Sequence, residues 1–184
     1  MAQSSQTISG QKTFKSAITV SEGATFTATG GVYKITAAST SLANLAVRDL
    51  ITITGTTNNN ATFTVKSVDA NGTYITVEEI VTAEASDGST DTVLTYSGFV
   101  TDKYKGDGYY SQADGIHTVA YHVNTTCTGA IKMQGSLATT PTEDDWFDIT
   151  GTTFTTDLST TISANNFTGN FVWVRAKCTS NTAG

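Results

Sequence analysis

Residues 49–79 read DLITITGTTNNNATFTVKSVDANGTYITVEE, and their alternation decides the fold. Leu50 to Thr54 alternate apolar and hydroxyl side chains at the period of two that separates the faces of a strand. Asn58, Asn59 and Asn60 supply turn chemistry, because Asn tolerates left-handed φ and hydrogen-bonds its own backbone. Phe63 and Val65 are expected on one face, and Thr62, Thr64 and Lys66 on the other. Asp69-Ala70-Asn71-Gly72 is a second tight turn, after which Ile75 and Val77 alternate with Tyr74, Thr76 and Glu78. Three strands with one apolar face must curl or be covered. With Val32–Ile35 and Thr92–Tyr96 added, closure into a small β-barrel is the expectation, since it removes most exposed edge. Just upstream, Ser39–Val47 is the one candidate helical turn, with Ser41 as cap and Leu42, Leu45 and Ala46 facing inward.

Composition agrees with an all-β chain. Charged residues make up 14% of the 184, Pro141 is the single proline, and about one residue in five is threonine, which suits a half-buried pleated surface. The formal net charge of −6 opposes nucleic-acid binding, which needs clustered Lys and Arg. No apolar run is long enough to span a membrane and no signal-peptide layout opens the chain, so membrane insertion is not expected and assembly in a cytoplasm is.

Outward from the centre, residues 1–30 carry sparse apolar side chains at Ile8, Phe14, Ile18, Val20 and Phe26. Such a stretch cannot bury enough surface to fold alone and is expected to be an extended β segment completed by a partner, or else a polar tail. Ile8, Phe14, Ile18 and Val20 are its candidate assembly residues. Residues 99–108 read as a linker. Residues 109–184 hold strand patterns at Ile116–Val123, Gly129–Ser136, Trp146–Thr150, Thr161–Asn165 and Phe171–Cys178, which suggest a two-sheet antiparallel β-sandwich. Trp146, Phe147, Phe167, Phe171 and Trp173 are its expected aromatic bulk.

Three stretches resemble proteins of tailed bacteriophages. QTISGQKTF at Gln6–Phe14, followed by Ile18-Thr19-Val20, resembles segments of tail-fibre and related structural proteins. Residues 31–98 resemble a small β-barrel insertion module of phage structural proteins, through Asp49, Ile51, Ile53, Gly55, Asn59, Phe63, Val65 and Val68. Arg48 and Ala61 stand where that pattern usually has glycine. Residues 129–184 resemble a sandwich domain of structural and fibre proteins of large marine cyanobacterial phages. The matches are Ile131, Lys132, Gln134, Ser136, Leu137, Pro141, Asp145, Trp146 and Phe147, then Phe167 and Gly169 to Ala176. Members of that family run one more strand beyond the final T-A-G, which the resemblance implies is missing here or supplied by another subunit.

Candidate chemistry is sparse. Glu143, Asp144 and Asp145 form the densest acidic cluster, readable as a calcium or glycosidase site or as a solvated turn after Pro141. His117 and His122 lie five apart on one expected strand, hence on opposite faces, which argues against a shared metal. Cys127 and Cys178 fit no zinc or redox spacing and are expected as two semi-buried thiols or as one disulfide. No nucleophile elbow, phosphate loop or complete calcium loop is present, and no enzyme or cofactor is expected. On Phe171–Cys178, alternation puts Val172 and Val174 on one face and Trp173 and Arg175 on the other. Trp173 and Arg175 are then candidates for stacking on a sugar or a partner, or the Arg stem simply covers the Trp. Tyr104, Tyr109 and Tyr110 carry the same ambiguity.

The resemblance implies a non-enzymatic virion structural protein, a subunit of a tail fibre or other appendage. Its partners would be other virion proteins and copies of itself, with a trimer favoured. A capsid decoration protein that cements the assembled head is the alternative within that class. A carbohydrate-binding module for a host-surface glycan is the alternative outside it.

Overall fold

The computed structural model describes residues 19–39, 41–86, 92–111, 115–121, 129–155 and 163–180. The chain is all-β, and its strand pairs are antiparallel. In order they are β1 (Thr19–Ser21), β2 (Ala24–Thr29), β3 (Val32–Ala37), β4 (Asp49–Thr54), β5 (Thr62–Val68), β6 (Tyr74–Val77) and β7 (Val93–Val100). There follow β8 (Tyr104–Lys105), β9 (Ile116–Tyr121), β10 (Gly129–Ser136), β11 (Phe147–Asp148), β12 (Phe154–Thr155), β13 (Ser163–Thr168) and β14 (Trp173–Ser180). One-turn helices lie at Ser41–Asn44, Asp107–Tyr110 and Glu143–Asp145.

The central stretch folds as its pattern dictates, into β4, β5 and β6. Phe63, Val65, Ile75 and Val77 are buried, with Ile51 and Ile53 opposite them. They share one core with Phe26, Ile35, Leu42, Leu45, Val81, Leu94 and Tyr96. Leu42 and Leu45 face inward as expected, but Ala46 is exposed, and the Ser41 hydroxyl donates to Glu22 Oε1 at 3.0 Å instead of capping its own turn.

The expected barrel does not close. The main ladder runs open through β11-β10-β14-β7-β4-β5-β6-β3-β2. The reason lies in β7, whose edge opposite β4 is divided. β1 takes Val93–Thr95, while β14 takes Gly98–Val100, so the sheet continues into the C-terminal half. Ser97 is the extra residue of a bulge, since Leu50 faces Gly98 and Ile51 faces Tyr96. It re-aims the strand: Leu94 and Tyr96 enter the first core, and Phe99 enters a second with Ile131, Met133, Phe167, Phe171, Val174, Ala176 and Cys178. Strand β13 brings Phe167 to that second core. Its partner β9 packs Val119 and Tyr121 against it.

Two expected boundaries fall inside elements. Gly30 and Gly31, at φ +60° and +77°, form the two-residue turn of a β2–β3 hairpin in which Thr29 faces Val32, so residues 24–29 belong to the fold and Phe26 is fully buried. The 99–108 stretch expected as a linker holds the end of β7, all of β8 and the start of a helical turn. Ile8, Phe14 and Ile18 lie outside the described residues. Val20 is described only by its backbone, which pairs with Leu94.

Candidate functional site

Strand β14 organises the exposed chemistry. Its alternation sends Val174, Ala176 and Cys178 into the second core and leaves Trp173, Arg175 and Lys177 on the other face. The two ends of that other face differ, because the chain covers one and not the other.

At the Trp173 end, β8 pairs with β14 so that Lys105 sits opposite Trp173. Gly106 and Gly108 then donate their N–H groups to Val172 O at 2.9 Å and Phe171 O at 2.8 Å. A Cβ at Gly106 would collide with the Phe171 carbonyl, so only glycine lets the chain lie this close. The following turn swings Tyr109 and Tyr110 beside Trp173. Tyr109 meets Trp173 edge-on at 5.1 Å between ring centroids and meets Tyr110 at 5.3 Å. Lys105 Nζ lies 4.0 Å from the Tyr109 ring centre, and Lys103 Nζ lies 4.7 Å from that of Trp173. The tyrosines are 43% and 47% exposed and both lysines are exposed, so three rings and two cations form an open ledge. The Trp173 indole N–H donates to Thr139 O at 3.0 Å, which fixes the ring.

At the Arg175 end the expected surface is covered, and the pairing of Trp173 with Arg175 as one recognition surface is corrected. Arg175 is only 5% exposed. Its guanidinium grips both carboxylate oxygens of Glu143 at 2.8 and 2.7 Å and donates through Nε to Gln134 Oε1 at 2.9 Å. The Trp146 ring stacks 4.2 Å away. The 137–146 loop folds over this end because a guanidinium binds a carboxylate bidentately and stacks on an aromatic face at once. Gln134 passes the network to Asp148, which Lys132 also pairs. Burial opposes ionisation of Asp148, but Lys132 and Gln134 outweigh it and hold the carboxyl below its usual range.

Two of the three residues of the acidic cluster have structural partners, and Asp144 is exposed. Glu143 is taken by Arg175. Asp145 accepts from Thr142 N at 2.7 Å and Thr142 Oγ1 at 2.8 Å, closing a capping box that lowers its pKa. His117 Nε2 bonds Gly169 O at 3.1 Å and its ring stacks on Phe167 at 5.0 Å. His122 and Cys127 lie outside the described residues, and Cys178 is buried in the second core. Of the expected aromatic bulk, Phe167 and Phe171 are core residues. Phe147 is exposed, Trp146 and Trp173 are half-buried, and Tyr104 packs against the core instead of joining the ledge.

At the Arg175 end lies a pocket of about 290 Å³ lined by Arg48, Glu78, Lys103, Pro141, Thr142, Glu143, Trp146 and Arg175. Pattern reading missed it, because its walls come from five separated stretches. Among the described residues no group of three His, Cys, Asp or Glu side chains is placed to hold a metal. Compared with protein-family models, curated proteins and solved structures, the chain matches none.

Proposed function

We propose that the chain is a non-enzymatic structural subunit of a tailed-phage virion, part of a tail fibre or other appendage. It acts by assembly through its N-terminal residues and by surface contact through the Tyr109–Tyr110–Trp173 ledge. The observation that carries this reading is the use made of the charged face. Glu143 and Asp145 serve to fasten the 137–146 loop, while the groups gathered at the Trp173 end are rings and lysines, which suit contact and not bond-making. The phage-like motifs at residues 6–14, 31–98 and 129–184 supply the virion context. In this reading the β2–β7 half acts as an open-sheet module and the C-terminal half as a sandwich. Ile8, Phe14, Ile18 and Val20 meet equivalent residues of neighbouring copies in a trimer.

Light scattering on the purified chain tests the assembly. A stable trimer is expected. A monomer that binds only assembled phage heads would make the chain a capsid decoration protein, and a monomer with no affinity for any virion part would remove both. The convergence of Tyr109, Tyr110 and Trp173 favours one second reading, a carbohydrate-binding module for host-surface glycan.

A further inference from the structure

We propose that the ledge of Tyr110, Tyr109 and Trp173, with Lys105 and Lys103, binds an anionic glycan, a hexose polymer bearing carboxylate or sulfate groups. The inference deepens the reading of the ledge as a contact surface and does not depend on assembly. Aromatic faces and corners accept the C–H surface of a pyranose ring, and polar groups beside them set orientation. Here those polar groups are cations. Lys105 and Lys103 are exposed, lie against ring faces, and make no ion pair among the described residues, although the chain carries 16 acidic against 10 basic side chains. A positive ledge on a negative protein selects an anion by charge complementarity.

Continuity with the pocket extends the argument. Lys103 lies against Trp173 and also lines the pocket with Arg48 and Trp146; the two carboxylates of that pocket are already paired, Glu78 with Lys66 and Glu143 with Arg175. The pocket's volume of about 290 Å³ is at the lower end of small-ligand sites, so it holds a sugar unit of a chain whose neighbouring units cross the ledge. A nucleic-acid strand fits less well. Successive bases stack on parallel platforms, whereas these rings meet at 63° and 73°.

Calorimetry of the full chain tests this with oligogalacturonate, sulfated dextran, neutral dextran and oligothymidylate. Binding of either anionic glycan and not of neutral dextran is expected; which one binds identifies the acidic group as carboxylate or sulfate. The double substitution K103Q/K105Q should weaken binding about tenfold or more, and Tyr110→Ala about three- to tenfold. All three side chains are exposed, so folding is retained, and circular dichroism checks it. The proposal is overturned by no anionic glycan binding at millimolar concentration, by equal affinity for neutral dextran, by tighter binding of oligothymidylate, or by variants that bind as wild type does. Light scattering on the same samples keeps the questions apart: a trimer without glycan affinity refutes this inference and leaves the assembly reading standing.

Discussion

At the scale of single residues, two side chains in the central stretch do work that their positions in sequence only hint at. Asn59 is 3% exposed in a loop. Its side chain donates to Thr82 O at 3.0 Å and Glu84 Oε2 at 2.8 Å, and accepts from Thr82 N at 2.9 Å, so one amide fastens the 56–60 turn to the 82–84 segment. Asn59→Ala removes the bonds to the N–H and C=O of Thr82, an exposed residue whose groups water can reach, and should cost about 1–2 kcal/mol in urea unfolding. Arg48 sits at φ +72°, where the resembling module has glycine. Its backbone cannot relax, since its N–H donates to Val65 O at 2.7 Å and its carbonyl accepts from Val100 N at 2.9 Å. Its ion pair with Asp102 at 2.6 Å is largely solvent-exposed and contributes little. Arg48→Gly should therefore be more stable than Arg48→Ala by about 1 kcal/mol, because both lose the ion pair and only glycine sheds the strain.

Two carboxylates give the acid limb of stability opposite pushes. The backbone N–H of Thr57 and of Asn58 and the Asn59 amide hold Glu84 below the usual carboxylate pKa. Its contribution is present above the unfolded pKa and is lost as pH falls through the folded one. Burial pushes Glu79 up, against two hydrogen bonds from Thr64. The fold therefore holds the Glu79 proton more tightly than the unfolded chain, and stability from this group is lost as pH rises through its folded pKa. Urea midpoints measured from neutral pH down through the carboxylate range should fall less steeply in Glu84→Gln than in wild type. In Glu79→Gln they should fall more steeply, because the opposing contribution is gone.

At the scale of elements, the β7–β14 contact is the joint of the molecule, and Gly98 makes it possible. The residue lies at φ +133°, and a Cβ there would collide with the Cys178 carbonyl oxygen. Gly98→Ala should cost about 2–4 kcal/mol through strain and lost ladder bonds, and should open the 98–108 region to proteolysis before the rest of the chain. The strands of the 49–79 stretch were legible because period-two alternation and Asn or Asp turn chemistry are local. β7 was legible only in its first half. Nothing in Val93–Val100 announces that Ser97 bulges and that Gly98 admits a second sheet, since the cause lies on β14. The Gly30-Gly31 pair between alternating runs was a readable hairpin signal that places the 1–30 boundary inside a turn. The ledge was half legible: Trp173, Tyr109 and Tyr110 stand out as exposed-face aromatics. The burial of Arg175 was not, because Glu143 and Trp146 reach it from a loop some thirty residues away in sequence.

At the scale of the whole molecule, the continuous ladder makes the two cores one mechanical unit. Trp146 and Trp173 both lie in the C-terminal half, so tryptophan fluorescence reports that half while far-ultraviolet circular dichroism reports every strand. Coincident unfolding curves by the two probes are expected for wild type. Separation of the curves in Gly98→Ala would locate the coupling at the β7–β14 joint.

The shared edge of β7 also acts as a ruler. Thr19 faces Thr95 and Thr179 faces Gly98, so only Tyr96 and Ser97 separate the two strands that dock on that edge. Sliding β1 toward the C-terminal end of β7 by more than a couple of residues would drive it into β14, and sliding by one would invert which of its side chains face inward. The N-terminal strand is thus indexed to one position by a steric stop. Every copy of the chain would present whatever it carries upstream of Thr19 from the same place, which a symmetric assembly built from that end requires.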